Sequence, residues 1–114
     1  MRLVVQGSKT FNDYPLFCRA IGVALSDLKS GDILDISSLG PAALTDHVME
    51  FTNKTRQTLK QKKIVIVFKS IAALNIDDPS EFDLFYYFCD NGRGLSRTAQ
   101  WFKDSGIEVL EFNN

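Results

Sequence analysis

Two short stretches of this chain pair glycine with a basic side chain. One is Gly7-Ser8-Lys9; the other is Gly92-Arg93-Gly94, with Ser96 and Arg97 close behind. A plain turn needs at most one glycine, so two glycines around a cation suggest a backbone shaped to approach something negative. Backbone N–H groups exposed by a glycine turn, a hydroxyl and a guanidinium are together the chemistry of phosphate binding. In such a cradle Arg93 would pair with phosphate and Lys9 would add charge. Gly7, Gly92 and Gly94 would admit close N–H contacts, with Ser8 and Ser96 supplying hydroxyls and Arg97 an outer cation. The plainer reading stays open, because a glycine pair between strand and helix also serves as a tight turn.

The elements that must position these turns alternate along the chain. "LVVQ" (3–6) is a short apolar strand ending at Gly7. The next stretch, "DYPLFCRAIGVALSDLKSG", has helical spacing with Phe17, Ile21, Leu25 and Leu28 on one face. Asp13 suits its N-cap, Pro15 its first turn and Gly31 its end. "DILDIS" (32–37) is a second strand; Pro41 then opens a second helix with Leu44, Val48, Phe51, Thr55 and Leu59 in a stripe. "KIVIVF" (63–68) is a β-branched run expected to be buried on both faces, and residues 69–81 are irregular. "FDLFYYFC" is a fourth strand, the segment from Gly94 to Gly106 a third helix with Leu95, Ala99 and Phe102 inward, and "IEVLEF" a last strand.

This order predicts an α/β fold: one domain over 1–114, with about five mainly parallel strands in the order 3-2-1-4-5 and helices on both faces. Ligands of open parallel sheets bind beyond the carboxyl ends of strands, where the strand order reverses. In that order the turns at 7–10 and 90–96 are neighbours across the reversal, each leading into a helix N-terminus.

Composition narrows the partners. The chain has 114 residues, 45% hydrophobic and 24% charged, with a net charge of −1. Such a balance is that of a globular domain and not of a dedicated nucleic-acid binder. Cys18 and Cys89 lack metal-ligand spacing and read as buried thiols, and no run is long enough for a signal peptide or a membrane span. A cytoplasmic protein without cofactor or metal is expected. His47, beside Asp46 and Glu50, reads as solvated helix surface, as do the cations Lys54, Arg56, Lys60, Lys62 and Lys63. Asp77, Asp78, Glu81 and Asp83 read as a polar loop, and Trp101 as a candidate oligomer contact.

"VVQGSKTFNDYPLFCRAI" resembles the opening of the SLOG superfamily, the Rossmann-like domains named for Smf/DprA and LOG proteins. Members begin with a strand, a Gly-Ser-Arg-type turn and a helix; Lys9 holds the basic position here. "FCDNGRGLSRTAQWFKDSGIEVLEF" is similar to the superfamily's later half, a strand, a glycine-rich turn, a helix and a "GI-x-V" strand. The overall match is to small members from bacteria and tailed phages. The resemblance implies nucleotide binding and adds Gly40, which stands where members usually carry a glycine pair. It also bears on catalysis: the phosphoribohydrolase branch reads Pro-Gly-Gly-x-Gly-Thr-x-x-Glu, and on that motif Leu95 replaces the threonine and Thr98 the catalytic glutamate.

The expected function is therefore non-catalytic binding of a nucleotide or nucleotide-derived anion, with no nucleic acid and no membrane involved. The alternative is a structural or interaction protein, oligomeric or with a protein partner and of phage type, that keeps the fold without the ligand. A nucleotide N-glycoside hydrolase is the weaker alternative.

Overall fold

A computed structural model describes residues 1–90 and 94–114. Five parallel strands, β1 (Arg2–Gly7), β2 (Ile33–Ser38), β3 (Val65–Ser70), β4 (Leu84–Cys89) and β5 (Glu108–Asn113), form one sheet in the order β3-β2-β1-β4-β5. The expected α/β class and strand order are those observed. Central β1 aligns Val4 with Ser37 on one side and with Phe85 on the other.

Helices α1 (Tyr14–Ser26) and α2 (Ala42–Lys62) cover one face. Asp13 caps α1 by accepting the Leu16 N–H at 3.1 Å, and Pro15 occupies the first turn, where its missing N–H costs nothing. Phe17, Ala20, Ile21 and Ala24 of α1 and Leu44, Val48 and Phe51 of α2 pack onto Leu3, Val5, Leu34, Ile36, Tyr86 and Phe88. Helix α3 (Arg97–Asp104) covers the other face, where Ala99 and Phe102 meet Val4, Phe85, Tyr87 and Cys89. The period-2 alternation of strand side chains sends odd and even residues to different cores.

Two expectations are corrected. The first helix stops at Ser26, ahead of Gly31, because Lys29 and Asp32 close a turn in which the Asp32 carboxylate accepts the Lys29 N–H at 2.7 Å. Gly31, at φ 94°, instead donates to Lys63 O from that αβ connection. The third strand is not buried on both faces: β3 is a sheet edge, and Val65 and Val67 are 55% and 50% exposed. Its β-branched run follows the sheet's geometry, but α3 reaches only β1, β4 and β5 on that face.

No helix among the described residues is long and apolar enough to cross a membrane. The stretch 71–83 contains two short 3-10 turns, Ala73–Asn75 and Pro79–Glu81, and seats Ile76 and Phe82 in the second core.

Phe102 is fully buried and its ring lies 4.8 Å from that of Phe85. Since α3 is the one helix on its face among the described residues, Phe102→Ala is expected to cost about 3–5 kcal/mol. Urea denaturation followed by circular dichroism measures that loss.

Candidate functional site

The carboxyl ends of β1 and β4 lie side by side, because β1 pairs with β4 up to Gly7 opposite Phe88. The turn after β1 is tied to β4 by hydrogen bonds. Ser8 N–H donates to Phe88 O at 2.7 Å, Asp90 N–H donates to the Ser8 hydroxyl at 3.3 Å, and the Thr10 hydroxyl donates to the Asp90 carboxylate at 2.6 Å. The third helix is tied in the same way. The Ser96 hydroxyl caps α3 by accepting the Ala99 N–H at 3.1 Å and itself donates to Gln6 Oε1 at the end of β1. The Gly7 N–H reaches Gly40 O at 2.9 Å, so the β2–α2 turn joins the same end of the sheet.

The residues picked from sequence thus fall into three groups. Gly7, Ser8, Gly40 and Ser96 are held at this end of the sheet, Gly7 bonded to Gly40, Ser8 to Phe88 and Asp90, and Ser96 to Gln6. Lys9 and Arg97 are exposed at the rims of the two turns, and Gly94 has φ 83° with open space around its Cα. Gly92 and Arg93, the centre of the expected cradle, lie outside the described residues.

The geometry reassigns Gly7. A Cβ there would lie 3.1 Å from Pro41 Cδ and 3.4 Å from Phe11 Cβ. The missing side chain makes room for the β2–α2 turn, and the Gly7 and Ser8 N–H groups are already paired within the protein. Gly40 has φ 92°, in the left-handed region that favours glycine, so it too has a backbone reason to be there.

Sequence reasoning passed over Asp90. Its two carboxylate oxygens accept from Thr10 and from Asn114 Nδ2, the latter at 2.7 Å. An acid at the tip of a central strand beside the reversal of strand order was the available signal. The carboxylate repels a phosphate placed directly upon it and suits instead a hydroxyl donor such as a sugar diol.

His47 is the other correction. Far from solvated, it is 8% exposed on the face of α2 turned to α1, with ring centroids of Tyr14, Phe17 and Phe11 at 5.2, 6.0 and 6.4 Å. Its Nε2 has no hydrogen-bond partner among the described residues. Burial lowers its pKa below the ordinary histidine value, against the opposing fields of Glu50, Asp46 and Asp13. Burial is also the first cause raising Tyr14 to about 12, followed by its hydrogen bond with Cys18. Cys18 is half-buried, while Cys89 is buried with its thiol against Glu111 and Asn113.

Among the surface groups, Lys54 pairs with Glu50 at 2.7 Å and lies over the Tyr14 ring, and Arg56 donates to Asn53. Trp101 is 39% exposed beside Phe102. The acids around Asp78 form a turn in which Asp78 accepts the Ser80 N–H, and no group of three or more His, Cys, Asp or Glu among the described residues is arranged to hold a metal ion.

Two clefts, of about 300 and 240 Å³, lie at the opposite end of the sheet and flank the last turns of α2. Their shape does not make them the better candidates for the anion chemistry. The topological rule and the converging hydroxyls point to the carboxyl end, whereas both clefts are lined mainly by helix flanks and the start of β3.

No family model, curated protein or solved structure matches this chain.

Gly7→Ala is expected to destabilise the fold by about 1–3 kcal/mol through overpacking against Pro41, measured by urea denaturation without any ligand. The His47 effect has a definite sign. Its folded pKa lies below the unfolded value of about 6.5, so the unfolded chain binds the proton more readily. The stability associated with neutral His47 is therefore fully present above the unfolded pKa and is lost as pH falls through the folded value. Denaturation at a series of pH values between neutral and mildly acid should show wild type weakening faster than His47→Leu. Parallel curves would remove His47 as the cause.

Proposed function

We propose that this protein binds a nucleotide or nucleotide-derived anion at the carboxyl ends of β1 and β4, and does not turn it over. The observation that carries the reading is the junction itself: two strand-to-helix turns meet where the strand order reverses and are joined through Ser8, Thr10 and Asp90. Asp90 would accept from a ribose hydroxyl. Exposed Lys9 and Arg97, together with Arg93, would neutralise phosphate. The binding role, as distinct from hydrolysis, follows from the SLOG-like pattern in which Thr98, half-buried in the first turn of α3, stands at the glutamate position.

One set of observations favours a second reading, an interaction protein that keeps the fold without the ligand. The Gly7 and Ser8 amides are paired internally, Ser96 caps its own helix, and the Gly7 clearance is taken up by Pro41.

A thermal-shift series with ribonucleotides, ADP-ribose and inorganic phosphate separates the two. Ligand at about a hundred times its Kd adds about 2.7 kcal/mol, which shifts the Tm of a domain this size by many degrees. The binding reading expects a shift with ribose phosphates that is reduced in Lys9→Ala, Arg97→Ala and Arg93→Ala. Asp90→Asn should lessen the advantage of ribose phosphates over plain phosphate. No shift from any compound would leave the interaction reading.

A further inference from the structure

The β3 edge of the sheet is complementary to itself. Val65 N–H donates inward to Asp32 O and Ile71 N–H inward to Ser38 O, so odd residues of β3 bond to β2. The even residues, Ile66 and Phe68 among them, direct their N–H and C=O groups outward, where no strand among the described residues pairs with them. An exposed edge of this kind is a template for another strand.

Both flanks of the edge are apolar and incompletely covered. On the α3 side, Ile33, Val65 and Val67 are 52%, 55% and 50% exposed. On the other side, Thr52, Arg56 and Lys60 stand one helical turn apart along α2 and overhang β3. Beneath them lies the cleft of about 300 Å³ floored by Ile64 and Ile66. An added strand would fill this cleft with one of its side chains.

We propose that this edge joins two copies of the chain, β3 against β3 in antiparallel fashion, about a twofold axis at Val67. The outward direction of the even residues allows hydrogen-bonded pairs of Ile66 with the partner's Phe68 and of Phe68 with the partner's Ile66. Val67 then faces the partner's Val67 as a non-hydrogen-bonded pair. The partner's Phe68 lies beside Ile66 at the mouth of the cleft, with the Arg56 guanidinium at its rim, a placement suited to a cation–π contact.

Charge disfavours one neighbouring register. On the α3 side, Asp35 is aligned with Val67 and Ser37 with Lys69. Twofold pairing about Val67 brings the partner's Lys69 opposite Val65, two strands from Asp35 on the same face. Among the described residues the only ion pair is Glu50–Lys54, so neither Asp35, whose neighbour across on β1 is Arg2, nor Lys69 is in an ion pair there. Moving the axis to Ile66 would set Lys63 opposite the partner's Lys69, and like charges opposed across strands are unfavourable. About a twofold axis each contact made by one copy is repeated by the other.

The test uses the full chain. Light scattering after size exclusion should give twice the monomer mass for wild type and the monomer mass for Val67→Lys, whose lysines would oppose each other. An unchanged circular dichroism spectrum for the variant shows that folding is not the cause. Non-hydrogen-bonded partners have Cα atoms about 4.5 Å apart, within the range a disulfide spans. Val67→Cys in a Cys18→Ser background should therefore form a covalent dimer under a mild oxidant. Ile66→Cys should not, because its Cα atoms would be more than about 7 Å apart. A wild-type chain monomeric up to millimolar concentration would overturn the proposal, and so would a dimer in which Val67→Cys fails to cross-link. Nucleotide binding plays no part in either readout.

Discussion

A parallel sheet must be covered on both faces, and everything in this molecule follows from how that is done with few helices. Parallel neighbours cannot be joined by hairpins, so each step along the sheet requires a crossover that lies across a face. Here α1 and α2 lie on one side and α3 on the other, where it reaches β1, β4 and β5. The β2–β3 half of that second face is left with Ile33, Val65 and Val67 in water. The reversal from one face to the other after β3 also brings the tips of β1 and β4 together. One topological event therefore creates both the junction at the carboxyl end and the uncovered quarter of the sheet.

The junction is built from short polar side chains more than from glycine. Ser8 and Thr10 bond to Asp90, and Ser96 bonds to Gln6, each across elements far apart in sequence, and Gly7 is small because Pro41 crosses it. These bonds fix the turn before any ligand arrives, which favours preorganised recognition and reduces the number of backbone donors left to offer. The exposed cations and the carboxylate remain as the groups with chemistry to contribute.

Strand order was legible because β and α patterns alternate cleanly, and because right-handed crossovers leave few ways to connect them. The start of α1 was legible in its cap, Asp13, whereas Ser96, expected as a ligand hydroxyl within a helix from Gly94, is the cap from which α3 starts at Arg97. The edge position of β3 was not, since Val-Ile-Val reads the same whether a neighbouring layer covers it or not. His47 was misread for a related reason. Its acidic neighbours in sequence suggested solvent, but the i+3 and i+4 pattern from Leu44 to Val48 and Phe51 turns the ring toward α1 and its aromatic residues. In the candidate site the turns were found through their glycines, while Asp90, at the tip of a strand expected beside β1, was passed over, and Thr10 and Gln6 are marked by their hydrogen bonds alone.

The central position of β1 also governs how the chain can reach this state. Its first neighbour, β2, follows after one helix, but its second, β4, begins at Leu84, with Leu3 and Leu84 in register. Loop closure over such a separation is slow compared with local helix formation. During synthesis β1 can be flanked on only one side until most of the chain has emerged, and its open edge, with Val4 lacking the cover of Phe85 and Phe102, must be protected meanwhile. The segment that completes the fold is thus the one that supplies β4, α3 and β5, and before it arrives β1 has only β2 and β3 with which to form a sheet.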